Sequence, residues 1–148
     1  SPRITQPLKF NHKKHMEAKV EEGKEKITCR TCHKYYEERR VAGRPSLRIC
    51  TSCHSGGEAK TEEEKRLREY ADRKLEIPWR RLYRVPDTVN FSHQRHVVFG
   101  KVECRECHGD FARLPAPPPE AIVPVSMDAC IECHKLKKVT VDCNACHH

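Results

Sequence analysis

Apolar side chains are scarce in this sequence of 148 residues. Hydrophobic residue types make up 36% of it and aromatic residues 6%, whereas charged residues account for 34%. So polar a chain buries too little apolar surface to offset the conformational entropy of folding. An ordinary side-chain core is therefore excluded, and an ordered fold requires something else to fill the interior.

Long hydrophobic runs are also missing. No stretch approaches the roughly 20 apolar residues of a membrane-spanning helix, and no basic segment followed by an apolar one marks a secretion signal. The sequence therefore predicts no membrane span in this chain, so that any association with a membrane would be made through partners.

Cysteine and histidine, with ten residues each, are abundant instead. All ten cysteines fall in five Cys-x-x-Cys pairs, and a histidine follows each pair at once. The five motifs are Cys29/Cys32/His33, Cys50/Cys53/His54, Cys104/Cys107/His108, Cys130/Cys133/His134 and Cys143/Cys146/His147. Cys-x-x-Cys-His is the attachment signature of c-type haem, in which the cysteines form thioethers and the histidine supplies an axial ligand to the iron. The sequence predicts five covalently bound haems, which would form the core.

Other roles for the cysteines explain the pattern less well. A disulfide framework has no need of the histidines. In a zinc knuckle the adjacent histidine cannot easily join the same tetrahedral site, and a thioredoxin-like site uses one pair on a βαβ unit, of which there is no sign. Because c-type haem is attached outside the cytoplasm, we expect a periplasmic or extracytoplasmic protein, and the chain from Ser1 reads as a product whose signal or anchor was removed.

The formal net charge of +8 would ordinarily suggest nucleic acid as a partner. Five haems add propionates and ferric centres, which would leave a total of about +3 when oxidised and about −2 when reduced. Nucleic-acid binding is therefore disfavoured. We expect the basic residues to balance propionates and to dock acidic redox partners.

An internal repeat, Phe-x-His-x-x-His, occurs at 10–15 and again at 91–96, each time ahead of an attachment motif. It predicts a dihaem module at 1–57, a helical linker at 58–76 and a trihaem module at 77–148, either separate or forming one compact domain. On a short helix the two histidines of each copy share one face and can ligate two different haems. These four candidate second ligands are His12, His15, His93 and His96.

The predicted fold is mainly irregular with a few short α-helices. The clearest helix starts at a capping box with Thr61 as N-cap and Glu64, and we expect it to end at Pro78. Its apolar positions are Leu67, Tyr70, Ala71 and Leu75. Further short helices are predicted at 11–22 and 92–100, a stiff proline-rich loop at 114–119, and short strands at 121–123 and 139–141.

The combination of Phe-x-His-x-x-His with Cys-x-x-Cys-His resembles the class III multihaem cytochromes c, which include the tetrahaem cytochromes of sulfate reducers and their trihaem relatives. The longer pattern is similar to the pentahaem subunit of alternative complex III and to haem subunits of menaquinone reductase complexes; its further residues are 6–9 and 77–87, which include Gln6-Pro7-Leu8-Lys9 and Ile77-Pro78-Trp79. The resemblance implies that the first histidine of each copy ligates the haem of the next motif and the second that of a later one. The implied ligand pairs are His12 with His33, His15 with His54, His93 with His108, and His96 with His134.

The haem of Cys143 and Cys146 has no such partner. In trihaem relatives its second histidine lies just before the middle motif, where this sequence offers Met127. Met127 is either that ligand or a packing residue. Its rival His148 adjoins His147, so it would instead cap another haem, reach a neighbouring subunit or sit at the chain end. Ligation by methionine would raise the potential of this haem and make it the electron sink or exit.

These features predict an electron-transfer protein rather than an enzyme. It would relay electrons between a quinone-linked membrane complex or dehydrogenase and a cytochrome or iron–sulfur partner, as a subunit of a hetero-oligomer. Two alternatives stay open. One is a subunit of an extracellular haem filament, with His148 donated across a subunit boundary; the other is a multihaem reductase with an open position at the fifth haem.

Overall fold

The computed structural model describes residues 3–148, which are mostly irregular and carry short helices. The α-helices are α1 His12–Met16, α2 Cys29–Cys32, α3 Leu47–Thr51, α4 Glu62–Asp72, α5 Cys104–His108, α6 Met127–Leu136 and α7 Cys143–Cys146. Two 3₁₀ turns at Tyr35–Glu37 and Phe111–Arg113 and a π-helix at Gln94–Phe99 complete the regular structure. The predicted fold class is confirmed.

The two predicted strands are wrong. Among residues 3–148 there is no strand, and pairing is limited to an isolated antiparallel bridge between Val89 and His147. A β-branched run forms a strand only when a second segment pairs with it. The segment 139–141 instead folds back on α6, where the carbonyl oxygen of Thr140 lies 2.7 Å from Nδ1 of His134.

The attachment motifs lie on short helices whose starts the sequence specifies. Thr28 and Thr31 form a reciprocal capping box at α2, and Glu103 and Glu106 do the same at α5. The Asp142 side chain caps α7. Because residues three apart lie on the same side of a helical turn, α2, α5, α6 and α7 each present their two cysteines in one direction. In the second motif Cys50 lies on α3 and Cys53 in the turn that follows it.

Helix α4 begins where the sequence predicts and ends earlier. The Thr61 hydroxyl accepts a hydrogen bond from the N–H of Glu64 at 3.1 Å. At the other end Lys74 has a φ of 54°, and the N–H groups of Lys74 and Leu75 donate to the carbonyls of Ala71 and Tyr70, which is a Schellman ending. The end at Pro78 was therefore wrong, and Leu75, 44% exposed, lies off the apolar face.

The other two helix predictions hold in position and differ in detail. Helix α1 ends at Met16, and 17–22 is irregular. The segment 92–100 is helical, with the Ser92 hydroxyl accepting from the N–H of Arg95 at 3.3 Å, but from Gln94 to Phe99 it is a π-helix. A π-helix widens the backbone by one residue per turn and occurs often at functional sites.

The conventional core is small. Leu8, Leu67 and Ile77 form one buried cluster, around which partly buried neighbours pack: Leu47, Cys50, Tyr70 and Trp79. Helix α4 thus ties the N-terminal segment to the start of the second half of the chain. So little buried apolar surface agrees with the composition, which excludes an ordinary core.

Contacts also join the two halves of the chain elsewhere. Helix α1 packs against the turn Phe111–Arg113, and the turn Tyr35–Glu37 packs against the π-helix. The division into modules at 1–57, 58–76 and 77–148 stays a prediction. Within residues 3–148, no helix is both long and apolar enough to cross a membrane.

Candidate haem-binding sites

Three of the four implied histidine pairs face each other in the structure. The ring centroids of His15 and His54 are 6.0 Å apart, those of His93 and His108 are 6.2 Å apart, and those of His96 and His134 are 6.0 Å apart. A bond from a metal to imidazole nitrogen is about 2 Å long. Two rings bound on opposite sides of one metal therefore have centroids about 6 Å apart. The observed spacing fits a metal ion held between each pair.

The fourth implied pair, His12 and His33, lies close enough for its members to influence one another. Burial, followed by the neighbouring His33 and then His15, lowers the pKa of His12 to about 4. Nδ1 of His12 is buried and has no hydrogen-bond partner. A buried neutral imidazole without a partner is costly unless a ligand completes the site.

Backbone carbonyl oxygens lie against Nδ1 of most of the paired histidines. The Nδ1–oxygen distances for His15, His33, His93, His96 and His134 run from 2.7 to 3.0 Å, and the oxygens belong in order to Asn11, Gly43, Arg40, Ser92 and Thr140. An Nδ1–H that donates to a carbonyl leaves Nε2 as the free lone pair, the usual arrangement of a metal-bound histidine. This donor set suits an iron that already has four equatorial ligands.

His54 differs because a carboxylate takes the place of the carbonyl. Oε1 of Glu64 lies 3.4 Å from Nδ1 of His54 and 2.9 Å from a guanidinium nitrogen of Arg68. The N–H of Lys60, followed by Arg68, lowers the pKa of Glu64 to about 2. Glu64 therefore stays ionised at neutral pH, beside a predicted proximal ligand.

One phenylalanine joins the two histidines in each copy of the repeat. Phe10 stacks on His15 with centroids 4.3 Å apart and meets His12 edge-on at 4.7 Å. Phe91 stacks on His96 at 4.7 Å and meets His93 edge-on at 4.8 Å. The repeat thus builds the same three-ring unit twice.

The motif cysteines lie in a definite spatial order. The thiols of Cys29 and Cys104 lie side by side, and their interaction lowers the pKa of Cys29 to about 6. Burial raises the pKa of Cys50, Cys107 and Cys130, and a thiol of another motif raises it further. The thiols that lie near enough to do this are Cys32 for Cys50, Cys133 for Cys107, and Cys146 for Cys130. The motifs therefore follow one another in space in the order second, first, third, fourth, fifth.

The fifth motif lies at the surface, with Cys143 and His147 exposed. Its chain segment is held by backbone bonds, in which the N–H of Asn90 donates to the carbonyl of Cys146 at 2.7 Å and that of His148 to the carbonyl of Thr88 at 3.1 Å. Met127, the first residue of α6, is 63% exposed. The roles of Met127 and of His148 as its rival stay predictions.

Four site residues escaped the sequence reasoning. Tyr83 meets the ring of His108 edge-on at 4.4 Å, and Phe111 meets that of His12 edge-on at 5.5 Å. Arg40 and Gly43 supply the carbonyls for His93 and His33. Tyr83 lies within the pattern at 77–87, but that pattern assigns it no role, and the other three lie in no motif. Each reaches its histidine through the folding of the chain and not through a fixed sequence spacing.

Two family models match separate parts of the chain. One, described as the class III cytochrome c family, matches residues 2–77. The other, described as cytochrome c7 and related cytochrome c, matches residues 89–148. Together with the paired histidines and the attachment motifs, these matches define the chain as a multihaem c-type cytochrome.

A characterised relative gives the same result. The chain is 36% identical over 104 residues to the multihaem cytochrome c subunit of menaquinone reductase from Nitratidesulfovibrio vulgaris. The alignment covers 70% of this chain and 45% of the relative, so the chain spans less than half of that protein's length. Since the class III model matches more than half of the sequence, this chain belongs to the class III cytochrome c family. Proteins of this family carry covalent c-type haem and transfer electrons, and this chain is an electron-transfer protein.

Proposed function

We propose that the chain binds five c-type haems and relays electrons between a quinone-linked membrane complex or dehydrogenase and a cytochrome or iron–sulfur partner. When bound, haem iron accepts and releases single electrons by alternating between its ferric and ferrous forms. The observation that carries the proposal is the facing of imidazole pairs at 6.0 to 6.2 Å beside the attachment motifs. Axial ligation from both sides closes the iron to substrates, which favours electron transfer over catalysis.

In this proposal the motif cysteines attach the haems and histidines hold four of the irons from both sides. The pairs are those that the resemblance implies: His12 with His33, His15 with His54, His93 with His108, and His96 with His134. Electron paramagnetic resonance of the oxidised protein tests the ligation. We expect four low-spin bis-imidazole signals. Only the fifth haem lacks an imidazole pair, so high-spin signals from more than one haem would contradict the pairing.

Met127 is the proposed sixth ligand of the haem at Cys143 and Cys146. Its exposed side chain does not serve as core packing, and its helix carries Cys130, which lies beside Cys146. Because methionine ligation raises the potential, Met127→His should lower the highest midpoint potential in a redox titration. Met16→Leu, the matched change at the other methionine, should leave it unchanged. An unaltered highest potential in Met127→His would exclude Met127 as a ligand.

A quinone-linked partner is proposed from the relative, which is a subunit of menaquinone reductase. Because c-type haem is attached outside the cytoplasm, we place the chain in the periplasm or another extracytoplasmic space, in a hetero-oligomer. Mild solubilisation of native membranes followed by affinity purification tests this. A quinone-reactive membrane subunit should co-purify and should reduce the haems when quinol is added. Recovery of the cytochrome alone from membranes solubilised in this way would contradict the complex.

A further inference from the structure

Aromatic rings connect a histidine of the first module to one of the second. The ring of Phe111 meets His12 edge-on at 5.5 Å, that of Tyr83 meets His108 edge-on at 4.4 Å, and the two aromatic rings are 6.3 Å apart. We call Phe111 and Tyr83 the aromatic junction. Backbone contacts hold it in place, since the Tyr83 hydroxyl donates to the carbonyl of His108 at 3.3 Å and the N–H of Lys13 donates to that of Leu114 at 3.0 Å.

A loop connects the other two histidines of the same two pairs. The carbonyl oxygen of Gly43 lies 2.7 Å from Nδ1 of His33, and that of Arg40 lies 3.0 Å from Nδ1 of His93. The Arg40 side chain also donates to the carbonyl of Phe91 at 3.1 Å. Residues 40–43 therefore fix His33 and His93 relative to each other.

The attachment cysteines bring the same two sites together. Cys29 of the first motif and Cys104 of the third lie side by side. Both histidines of the first site are thus linked to histidines of the third, His12 to His108 through the aromatic junction and His33 to His93 through residues 40–43. Three contacts of different kinds, made by segments far apart in the sequence, join one pair of sites.

Within each module the junctions are different. Phe10 lies between His12 and His15, and Phe91 lies between His93 and His96. These two phenylalanines connect the first site to the second and the third site to the fourth. The aromatic junction and residues 40–43 therefore link the two groups of sites into one series.

We propose that Phe111 and Tyr83 are positioning residues that set the passage of electrons between the two modules, so that electrons traverse the haems in the order Cys50, Cys29, Cys104, Cys130, Cys143. This inference rests on the proposed five-haem relay. Transfer between redox centres depends on their close approach, and densely packed rings keep that approach fixed. The two ends of the series are then the haem beside α4 and the haem at the exposed C-terminal motif.

A flash-photolysis experiment on the holoprotein tests the junction. The variant Glu58→Cys adds a thiol four residues after His54, and this is the one thiol that is not used in a haem thioether. A ruthenium photosensitiser attached to it injects an electron at one end of the haem series. His96→Met, in the second module, is combined with Met127→His so that no other haem has a methionine ligand. The haem of His134 would then have the raised potential and the distinct absorption that make it a trap. In this background Phe111→Leu and Tyr83→Leu test the junction, Tyr83→Phe keeps the ring, and Phe99→Leu is the control at a side chain that is 70% exposed.

In the parent we expect reduction of the first module followed by arrival of the electron at the trap. Phe111→Leu and Tyr83→Leu should slow arrival and leave the first step unchanged, whereas Tyr83→Phe and Phe99→Leu should leave both steps unchanged. If the electron reaches the trap in Phe111→Leu at the parent rate, the role of the aromatic junction is overturned and the five-haem relay is still supported. A parent in which no electron reaches the trap would overturn the relay itself.

Nuclear magnetic resonance of the protein without the trap gives a second readout, should His96→Met fail to bind its haem. Phe111→Leu should shift the paramagnetic signals of two haems together, those of the first and third motifs. A shift confined to one module would overturn the junction.

Discussion

Backbone carbonyls decide which nitrogen five of the eight paired histidines present to their partners. Those that lie against Nδ1 of His33 and His93 come from one loop, and the one against His134 comes from the segment after its own helix. A ligand imidazole oriented in this way stays in one tautomer and one rotamer, which keeps the iron site preorganised. His54 has the carboxylate of Glu64 in place of a carbonyl.

Glu64→Gln should raise the midpoint potential of the haem at Cys50 and Cys53. A carboxylate beside the proximal imidazole stabilises ferric iron more than a neutral amide does, so its removal favours the ferrous state. Redox titration with the signal of this haem resolved measures the change. Glu62→Gln, an exposed carboxylate of the same helix, should leave the potential unaltered, and equal potentials in both variants would contradict the role of Glu64.

The same carboxylate predicts a pH dependence. The pKa of Glu64 is lowered to about 2 in the folded protein, so its contribution to stability is fully present above the ordinary value of about 4.3. It is lost as the pH falls through the folded-state pKa of about 2. Between these two values the melting temperature of the wild type should fall more steeply than that of Glu64→Gln, and parallel curves would refute the prediction.

Gly43 holds a position that tolerates no side chain. Its φ is 81°, and a Cβ there would collide with the ring of Tyr35. Gly43→Ala should therefore destabilise the protein by roughly 2 kcal/mol more than Gly23→Ala, which has a similar φ of 83° and free space around it. Chemical denaturation measures both variants, and the signal of the haem held by His33 should change only in the first. Equal losses would mean that backbone strain alone matters.

The candidate ligand histidines could be recognised in the sequence, whereas their hydrogen-bond partners could not. His12, His15, His93 and His96 are recognisable because their spacing repeats ahead of attachment motifs. Arg40 and Gly43 follow no such pattern. The Gly43 carbonyl matters because residues 40–43 fold back on His33, and the Arg40 carbonyl matters because the same loop meets His93 in the second half of the chain. Local residue types encode neither approach.

Helix boundaries show the same limit. The start of α4 could be predicted because threonine followed by glutamate is a recognisable cap. Its end could not, because Lys74 adopts the left-handed conformation that glycine usually supplies, and Lys101 and Lys138 do so as well. The π-helix at Gln94–Phe99 could not be predicted either, because His93 and His96, three residues apart, have the spacing of an ordinary α-helix.

Helix α4 contributes to stability through one buried side chain. Leu67 packs with Leu8 and Ile77, and its truncation to alanine leaves a cavity between segments far apart in the chain. Leu67→Ala should lower the free energy of unfolding of the holoprotein by about 3 kcal/mol. Leu75→Ala, on the exposed side of the segment that follows, should cost less than about 1 kcal/mol, and a similar loss in both would show that the cluster is not a core.

The amino-acid composition predicts the overall character of the fold better than it predicts the individual helices. The chain has 36% hydrophobic residues, and residues 3–148 include five buried apolar side chains, none of which is completely shielded from solvent. It is held together by something besides aliphatic packing. The mainly irregular fold could therefore be predicted, because covalently held cofactors replace the layers of helices and strands. The spatial order of the motifs could not, since the sequence lists them from first to fifth and the structure places the second at one end.

Intact-mass spectrometry of the chain, produced with the machinery that attaches c-type haem, tests the five-haem relay most directly. The predicted mass is that of the 17.2 kDa polypeptide plus five haems, and replacing both cysteines of any one motif by alanine should remove one haem. Such loss, motif by motif, would also show that each pair holds its own haem. A mass of four haems or fewer with all ten cysteines present would contradict it.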